Sequence, residues 1–390
     1  MVRSRWISLL ATGVFIGVFT YAYSLSTNTV LDERIYSTEA FELYSKGLFP
    51  LVYPLLPALT ALSLVVLGLQ KHAFIIVPFF STVIAIWFTY DLSLRLSGDR
   101  NRAAISVFLL ASNPVIIWLS TRHMTDTLFT LLTLLVFWSL LRKNLTARYA
   151  FLGGVFSILA YLARYPGLVI FPFITVALAL TSRSKRVTAA YLASLVLLIP
   201  YWLVNFYLFG GFFPTESYSL SFVQPRLEVP VSLILEVGGK ILVGLGPIFL
   251  NTVLFIPPFL IMAVRGRGRG RFSNATEHTT GFLRHAWLLI FVYVVYFSVF
   301  QAGYFTLVSF TWGFSVSADH LTRWIGGAVM PLIVLLVRPP SRHKKLNLLL
   351  ILVSVIVGIA VGYYLTNYNN LYSHIPVSWD DFLREPKAAW

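Results

Sequence analysis

Cysteine is absent from the 390 residues, which removes disulfides, thiolate catalysis and cysteine-based zinc sites together. Charge is scarce as well. Only 12% of the residues are Asp, Glu, Lys or Arg, about half of the ~25% found in soluble domains, so a water-facing surface cannot be built around this chain. What is present is apolar: 57% of residues are hydrophobic and the mean hydropathy is +0.78. The apolar residues fall in recurrent runs of about 20, the length needed to cross ~30 Å of hydrocarbon. The fold class is an all-α polytopic membrane protein.

Apolar runs between charge clusters predict about eleven spans, near 6–27, 73–96, 103–120, 126–141, 148–163, 166–181, 187–208, 241–264, 286–309, 322–337 and 346–366. The basic opening Met1-Val-Arg-Ser-Arg is that of a signal peptide. The run after it is long, however, and has no small-residue cleavage site, so it reads as a retained helix. The net charge of +15 is a topology signal. With a cytoplasmic N-terminus, Arg3, Arg5 and five later clusters collect most of the basic residues on the inside (Arg95/Arg100/Arg102, Arg142/Lys143/Arg148, Arg183/Lys185/Arg186, Arg265–Arg284, Arg338–Lys345). All acids except Asp91, Asp99 and Glu277 then fall outside. This is the positive-inside pattern, reinforced by anionic membrane lipids, and it makes the RGRGRGR run at 265–271 a solvated loop rather than a nucleic-acid site.

The same count excludes one apolar run from the spans. If residues 51–69 crossed, every later loop would invert. They are expected to lie at the outer face as a re-entrant or interfacial helix broken by Pro54 and Pro57. Before them, Tyr36–Leu48 reads as an amphipathic interfacial helix. Tyr36, Ala40, Phe41, Leu43, Tyr44, Gly47 and Leu48 share one face, Thr38, Glu39, Glu42, Ser45 and Lys46 the other, with Ser37 as N-cap. The chain is thus one transmembrane domain over 1–390, with a first outside loop at 28–72, a second at 209–240 and an outside C-terminal tail at 367–390.

Function is sought where ionisable residues gather at the outer face. The acids there are Asp32, Glu33, Asp126, Glu216, Glu228, Glu236 and Asp319; the bases are Arg34, Arg122, Arg164, Arg226 and Arg323, with His123 and His320 near them. Carboxylates and arginines together suit transfer of a group carried on a lipid phosphate. One carboxylate deprotonates an acceptor hydroxyl, and arginines hold the departing phosphate. Phosphate leaves without a general acid, so a single base suffices.

The order of features is a helix, an outside Asp32-Glu33 pair, an amphipathic helix, the stretch Tyr53-Pro54-Leu55-Leu56-Pro57, then Thr125-Asp126 at the outer end of a later helix. This resembles the GT-C superfamily of membrane glycosyltransferases, in particular its dolichyl-phosphate-mannose protein mannosyltransferase and aminoarabinose transferase branch. The resemblance covers roughly residues 1–210 well and the rest loosely. It implies a polyprenyl-phosphate sugar donor, mannose being one candidate sugar, inversion at the anomeric carbon, and two helices lying along the membrane after the first span. It also implies that Asp32 is the base, Glu33 its partner, Asp126 the second acidic site, and Arg122, Arg164 and Arg323 contacts of the donor phosphate. Tyr53, His123, Glu216, Asp319 and His320 would meet acceptor or sugar. Two departures stand out: Leu51-Val52-Tyr53-Pro54 occupies the place where relatives often carry a lysine, and the large outer domain of many relatives is missing, so among lipid, glycan and protein acceptors a small or lipid-linked one is expected.

Each of these residues also has a plainer role. Asp32 and Glu33 can be a solvated loop, Asp126 a helix N-cap, Arg164 and Arg323 snorkelling side chains, and Arg34 loop solvation or a partner of Glu33. No cofactor is expected, and a divalent metal is not indicated because His123, His320, Asp126 and Asp319 lack ligand spacing. The rival functions are a lipid or polyprenyl-sugar flippase, which would carry ionisable groups at mid-membrane on broken helices, and a non-catalytic subunit of a membrane assembly.

Overall fold

The computed structural model describes residues 2–29, 31–51, 53–164, 167–181, 184–213, 289, 292–293 and 377–386. Helices α1 (Val2–Leu25), α2 (Leu31–Lys46), α3 (Leu55–Leu67), α4 (Lys71–Ser97), α5 (Arg100–Ala111) and α6 (Pro114–Ser120) come first. They are followed by α7 (Thr125–Leu140), α8 (Ala147–Ala163), α9 (Gly167–Thr181), α10 (Lys185–Ala193), a 3₁₀ turn at Ser194–Leu198 and α11 (Ile199–Phe209). After α1 comes a two-residue strand, β1 (Asn28–Thr29). It pairs antiparallel with β2 (Val377–Ser378), which leads into the short helix α12 (Trp379–Arg384). The molecule is helical and carries membrane-length apolar helices, making it a multi-pass membrane protein.

Among the described residues three helices are long and apolar enough to cross a membrane, Trp6–Leu25, Lys71–Ser97 and Lys185–Phe209. Helices α3, α7, α8 and α9 are apolar and shorter, at 13 to 17 residues. The four spans expected beyond residue 240 lie outside the described residues, apart from isolated helical positions near 290.

Four expectations change. The expected span at 103–120 is two helices. Pro114 disfavours helix at the residue before it and gives up an amide donor, and Asn113 starts the chain again by accepting from the Ile116 N–H through Oδ1 at 3.2 Å. The acidic segment Leu31-Asp32-Glu33-Arg34 is not a loop but the first turn of α2. Ser37 therefore sits inside that helix rather than capping it. Residues 55–67 form one unbroken helix, because Pro54 and Pro57 lie at its start, where a missing N–H costs nothing. At 13 residues, roughly 20 Å long, it is too short to span, in keeping with the positive-inside count.

The amphipathic reading of α2 holds in part. Tyr36 and Ala40 are buried, but Tyr44 and Leu48 are exposed, and the inward face is completed by Glu33, Arg34, Ser37 and Thr38. This helix turns polar groups inward.

Helix α7 is the centre of the bundle, buried along nearly its whole length, as a helix apolar all round must be. Helices α4 and α8 flank it. Gly153 and Gly154 let α8 approach closely: a Cβ at the first would meet Leu140 and Ser139 of α7 at 2.9 Å, and one at the second would collide with Tyr191 and Ser194. Small residues at helix contacts are the usual means of packing in lipid. At one end of the bundle Asp91 accepts from the Trp138 indole at 2.6 Å and pairs with Arg95, while Arg142 lies over the rings of Trp138 and Tyr149. The opposite end gathers the acidic residues of α2 and the α6–α7 turn.

Candidate functional site

Three stretches meet at that end: the first turns of α2, residues 121–126 between α6 and α7, and the exit of α8 at Arg164. Glu33 is fully buried, and its carboxylate is gripped from two sides. Oε1 accepts the backbone N–H of His123 at 2.7 Å, and Oε2 lies 3.4 Å from a terminal nitrogen of Arg122, itself 0% exposed. A buried carboxylate survives only when paired and hydrogen-bonded, and both conditions are met here by consecutive residues of one turn.

His123 is buried and uses both ring nitrogens. Nδ1 is 2.8 Å from the Ser37 hydroxyl of α2 and Nε2 is 2.8 Å from the Thr60 hydroxyl of α3. Burial pushes its pKa from 6.5 down to about 3, opposed only in part by the hydrogen bond to Glu33, so the ring is neutral. This single side chain pins both short helices of the first loop to the α6–α7 turn.

The second ion pair stands beside the first. Asp126, in the opening turn of α7, accepts from the guanidinium of Arg164, which closes the C-terminal end of α8. Each charge suits its helix end, an acid at an N-terminus and a cation at a C-terminus. Asp126 is not the N-cap; Met124 holds that position. The chain can leave α8 here because residue 167 is glycine: a Cβ would run into the backbone of Ala160 and Tyr161. Arg164 is 8% exposed.

Arg34 departs from the solvated role expected of it. It is 5% exposed, forms no ion pair among the described residues, and its Nε has no hydrogen-bond partner. Burial lowers its pKa. Tyr53 stands before α3 with φ +47, a left-handed conformation uncommon outside glycine and a recurrent mark of functional segments. Its ring is 6.2 Å from that of Tyr36.

The sequence-predicted residues thus divide. Glu33, Arg122, His123, Asp126 and Arg164 come together; Tyr53 borders α2. For Asp32 the backbone is placed, in the first turn of α2, and its side chain lies outside the described part of the structure. Glu216, Asp319, His320 and Arg323 lie outside the described residues. Among the described residues no group of three or more His, Asp and Glu is arranged to hold a metal. The residues missed by sequence reasoning are Ser37 and Thr60, the two hydroxyls on His123. A faint signal existed for the second, since Thr60 and Ser63 are the only polar residues in α3.

An acidic helix followed by a second short helix in the first loop is the arrangement that the GT-C resemblance implied. Over residues 50–204 the chain matches the sequence profile of the dolichyl-phosphate-mannose-protein mannosyltransferase family. Among solved structures it is similar to ArnT from Cupriavidus metallidurans. Against the apo form the TM-score is 0.57 at 14% identity, covering 94% of this chain and 76% of that one. Against the form bound to undecaprenyl phosphate it is 0.59 at 14% identity, covering 98% and 73%. No curated protein sequence matches the chain.

Proposed function

We propose that the protein is an inverting membrane glycosyltransferase that moves a sugar from a polyprenyl-phosphate carrier to a hydroxyl acceptor at the extracytoplasmic face. The observation that carries this reading is the buried pair Glu33–Arg122, in which Glu33 is the residue after Asp32 at the start of α2, in a fold shared with a protein solved with undecaprenyl phosphate. The described ionisable residues of the site gather at one end of the helices, whereas a flippase would need them at mid-membrane.

Asp32 is the base in this reading. Both oxygens of Glu33 are occupied within the protein, which suits Glu33 to fixing the start of α2 rather than to proton transfer. Asp32 takes the proton of the acceptor hydroxyl. The oxygen attacks the anomeric carbon from the face opposite the phosphate, and the carbon–oxygen bond to phosphate breaks with its electron pair leaving on the phosphate. A guanidinium stabilises that charge. Arg34 is the first candidate, being buried without an acidic partner among the described residues. A bound phosphate would relieve the several kcal/mol that an uncompensated buried charge costs. Arg164 is the second, since Asp126 already engages one of its nitrogens.

Binding of undecaprenyl phosphate to purified protein tests the reading. Arg34→Ala is expected to weaken it by about tenfold or more, the loss of one charge-assisted contact, with Arg34→Lys in between. Unchanged affinity in Arg34→Ala would remove Arg34 from the donor site, and absence of binding in the wild type would remove the donor class.

A further inference from the structure

We propose that residues 377–386 form a clasp that ties the end of the chain to the first loop and positions His123, and through it the Glu33 carboxylate. The segment is too short to be ordered alone, since a six-residue helix does not pay for its own nucleation. Its order comes from what it touches. Strand β2 pairs with β1 in the register Asn28↔Ser378 and Thr29↔Val377, and the Trp379 N–H donates to Thr27 O at 3.1 Å. Ser378 caps α12 by accepting from the Asp381 N–H at 3.1 Å.

The docked face is aromatic. Trp379 and Phe382 are both buried and close on Phe74 of α4, with ring centroids 5.5 and 5.9 Å away. They join Ala40 of α2, Leu64 of α3 and Ala73 and Ile75 of α4 in one apolar cluster. Phe74 in turn stands edge-on to His123, its centroid 5.4 Å from the imidazole. Among the described residues the imidazole is hydrogen-bonded to Ser37 and Thr60 and packs against the Phe74 ring. The clasp therefore packs behind the Phe74 ring that meets the imidazole, and the His123 backbone N–H holds Glu33. Asp380 and Asp381 face outward and stay exposed, so the segment is amphipathic in the sense docking requires. The consequence for sugar transfer rests on the proposed function; the clasp itself does not.

Two measurements test it without any donor. In this cysteine-free chain, Asn28→Cys combined with Ser378→Cys places two thiols at directly paired positions. Paired antiparallel residues have Cα atoms about 4.5–5.5 Å apart, inside the range a disulfide bridges. Mild oxidation of the full-length double variant is expected to give an intramolecular bond that neither single variant forms. Its absence would overturn the clasp. Amide hydrogen exchange then reads the positioning. Trp379→Ala is expected to speed exchange in the peptide covering 119–126 by about tenfold or more, leaving the peptide covering 139–150 at the far end unchanged, while Trp379→Phe restores slow exchange. A uniform rise at both ends, or no change at 119–126, would overturn the positioning role. Failure of the glycosyltransferase reading would show separately, as a lack of donor binding in protein whose clasp is intact.

Discussion

Glu33 and His123 act on each other through a main-chain amide rather than through their side-chain charges, and this sets what each can do. With both carboxylate oxygens engaged and no exposure, Glu33 is a poor proton acceptor for a substrate. With both ring nitrogens held by hydroxyls, His123 is a poor ligand for sugar or metal. Its neutrality has a measurable consequence. The folded-state pKa, about 3, lies below the ordinary 6.5, so between those values the unfolded chain binds the proton and the folded one does not. Stability is fully present above pH 6.5 and is lost as the pH falls through it toward 3. From pH 7 to pH 5 the contribution amounts to about 2 kcal/mol. Wild type is expected to lose that much more stability over this interval than His123→Gln, as read by unfolding midpoints in detergent; parallel curves for the two proteins would show that His123 is not held neutral by burial. These residue identities were legible beforehand because Asp32, Glu33, Arg122, His123, Asp126 and Arg164 interrupt apolar surroundings. Their pairings were not. Glu33 meets residues 89 and 90 positions away, and no local pattern states that Arg122 rather than Arg34 neutralises it.

At the scale of elements, the site is an agreement between helix ends. Helix α7 begins where α8 finishes, and the Asp126–Arg164 pair closes the gap. Helices α2 and α3 are held by one imidazole. Hydropathy predicted these helices well wherever a run was long, and erred where one residue decides: at Asn113-Pro114, which divides a run in two, and at Leu31, where a helix starts six residues before the first obvious cap. In 51–69, which hydropathy alone would have made a span, the helix is only Leu55–Leu67, 13 residues long. The turn out of α8 depends on Gly167, whose missing Cβ admits the backbone of Ala160 and Tyr161. Gly167→Ala forces that turn outward and is expected to cost roughly 1–3 kcal/mol, the usual range for overpacking, and to weaken undecaprenyl phosphate binding with it. Gly13→Ala, where nothing stands within 4 Å of the added carbon, serves as the control. Equal stability of the two variants would mean that the close approach at Gly167 is not required.

At the scale of the whole molecule, the two ends of the described bundle carry different chemistry. One end holds the buried ion pairs, the short helices and the clasp. The other holds Arg95 paired with Asp91, and Arg142 over the Trp138 ring that donates to Asp91, with Lys143 next in sequence. In the proposed reading the first end faces outside, as the positive-inside pattern predicts. Lys46 and Lys143 are both exposed, one at each end. In intact cells a membrane-impermeant maleimide is expected to label Lys46→Cys and to spare Lys143→Cys until the membrane is opened. The reverse labelling would invert the protein and move the site to the cytoplasm. The central claim is tested most directly by sugar transfer in purified protein supplied with a panel of polyprenyl-phosphate sugars and hydroxyl acceptors, comparing wild type with Asp32→Asn and Glu33→Gln. The account predicts turnover by the wild type, a loss of about 10²–10⁴-fold in Asp32→Asn with stability retained, and a loss in Glu33→Gln accompanied by a lowered unfolding midpoint, because Arg122 is left buried without its counter-charge. Full activity in Asp32→Asn would contradict it.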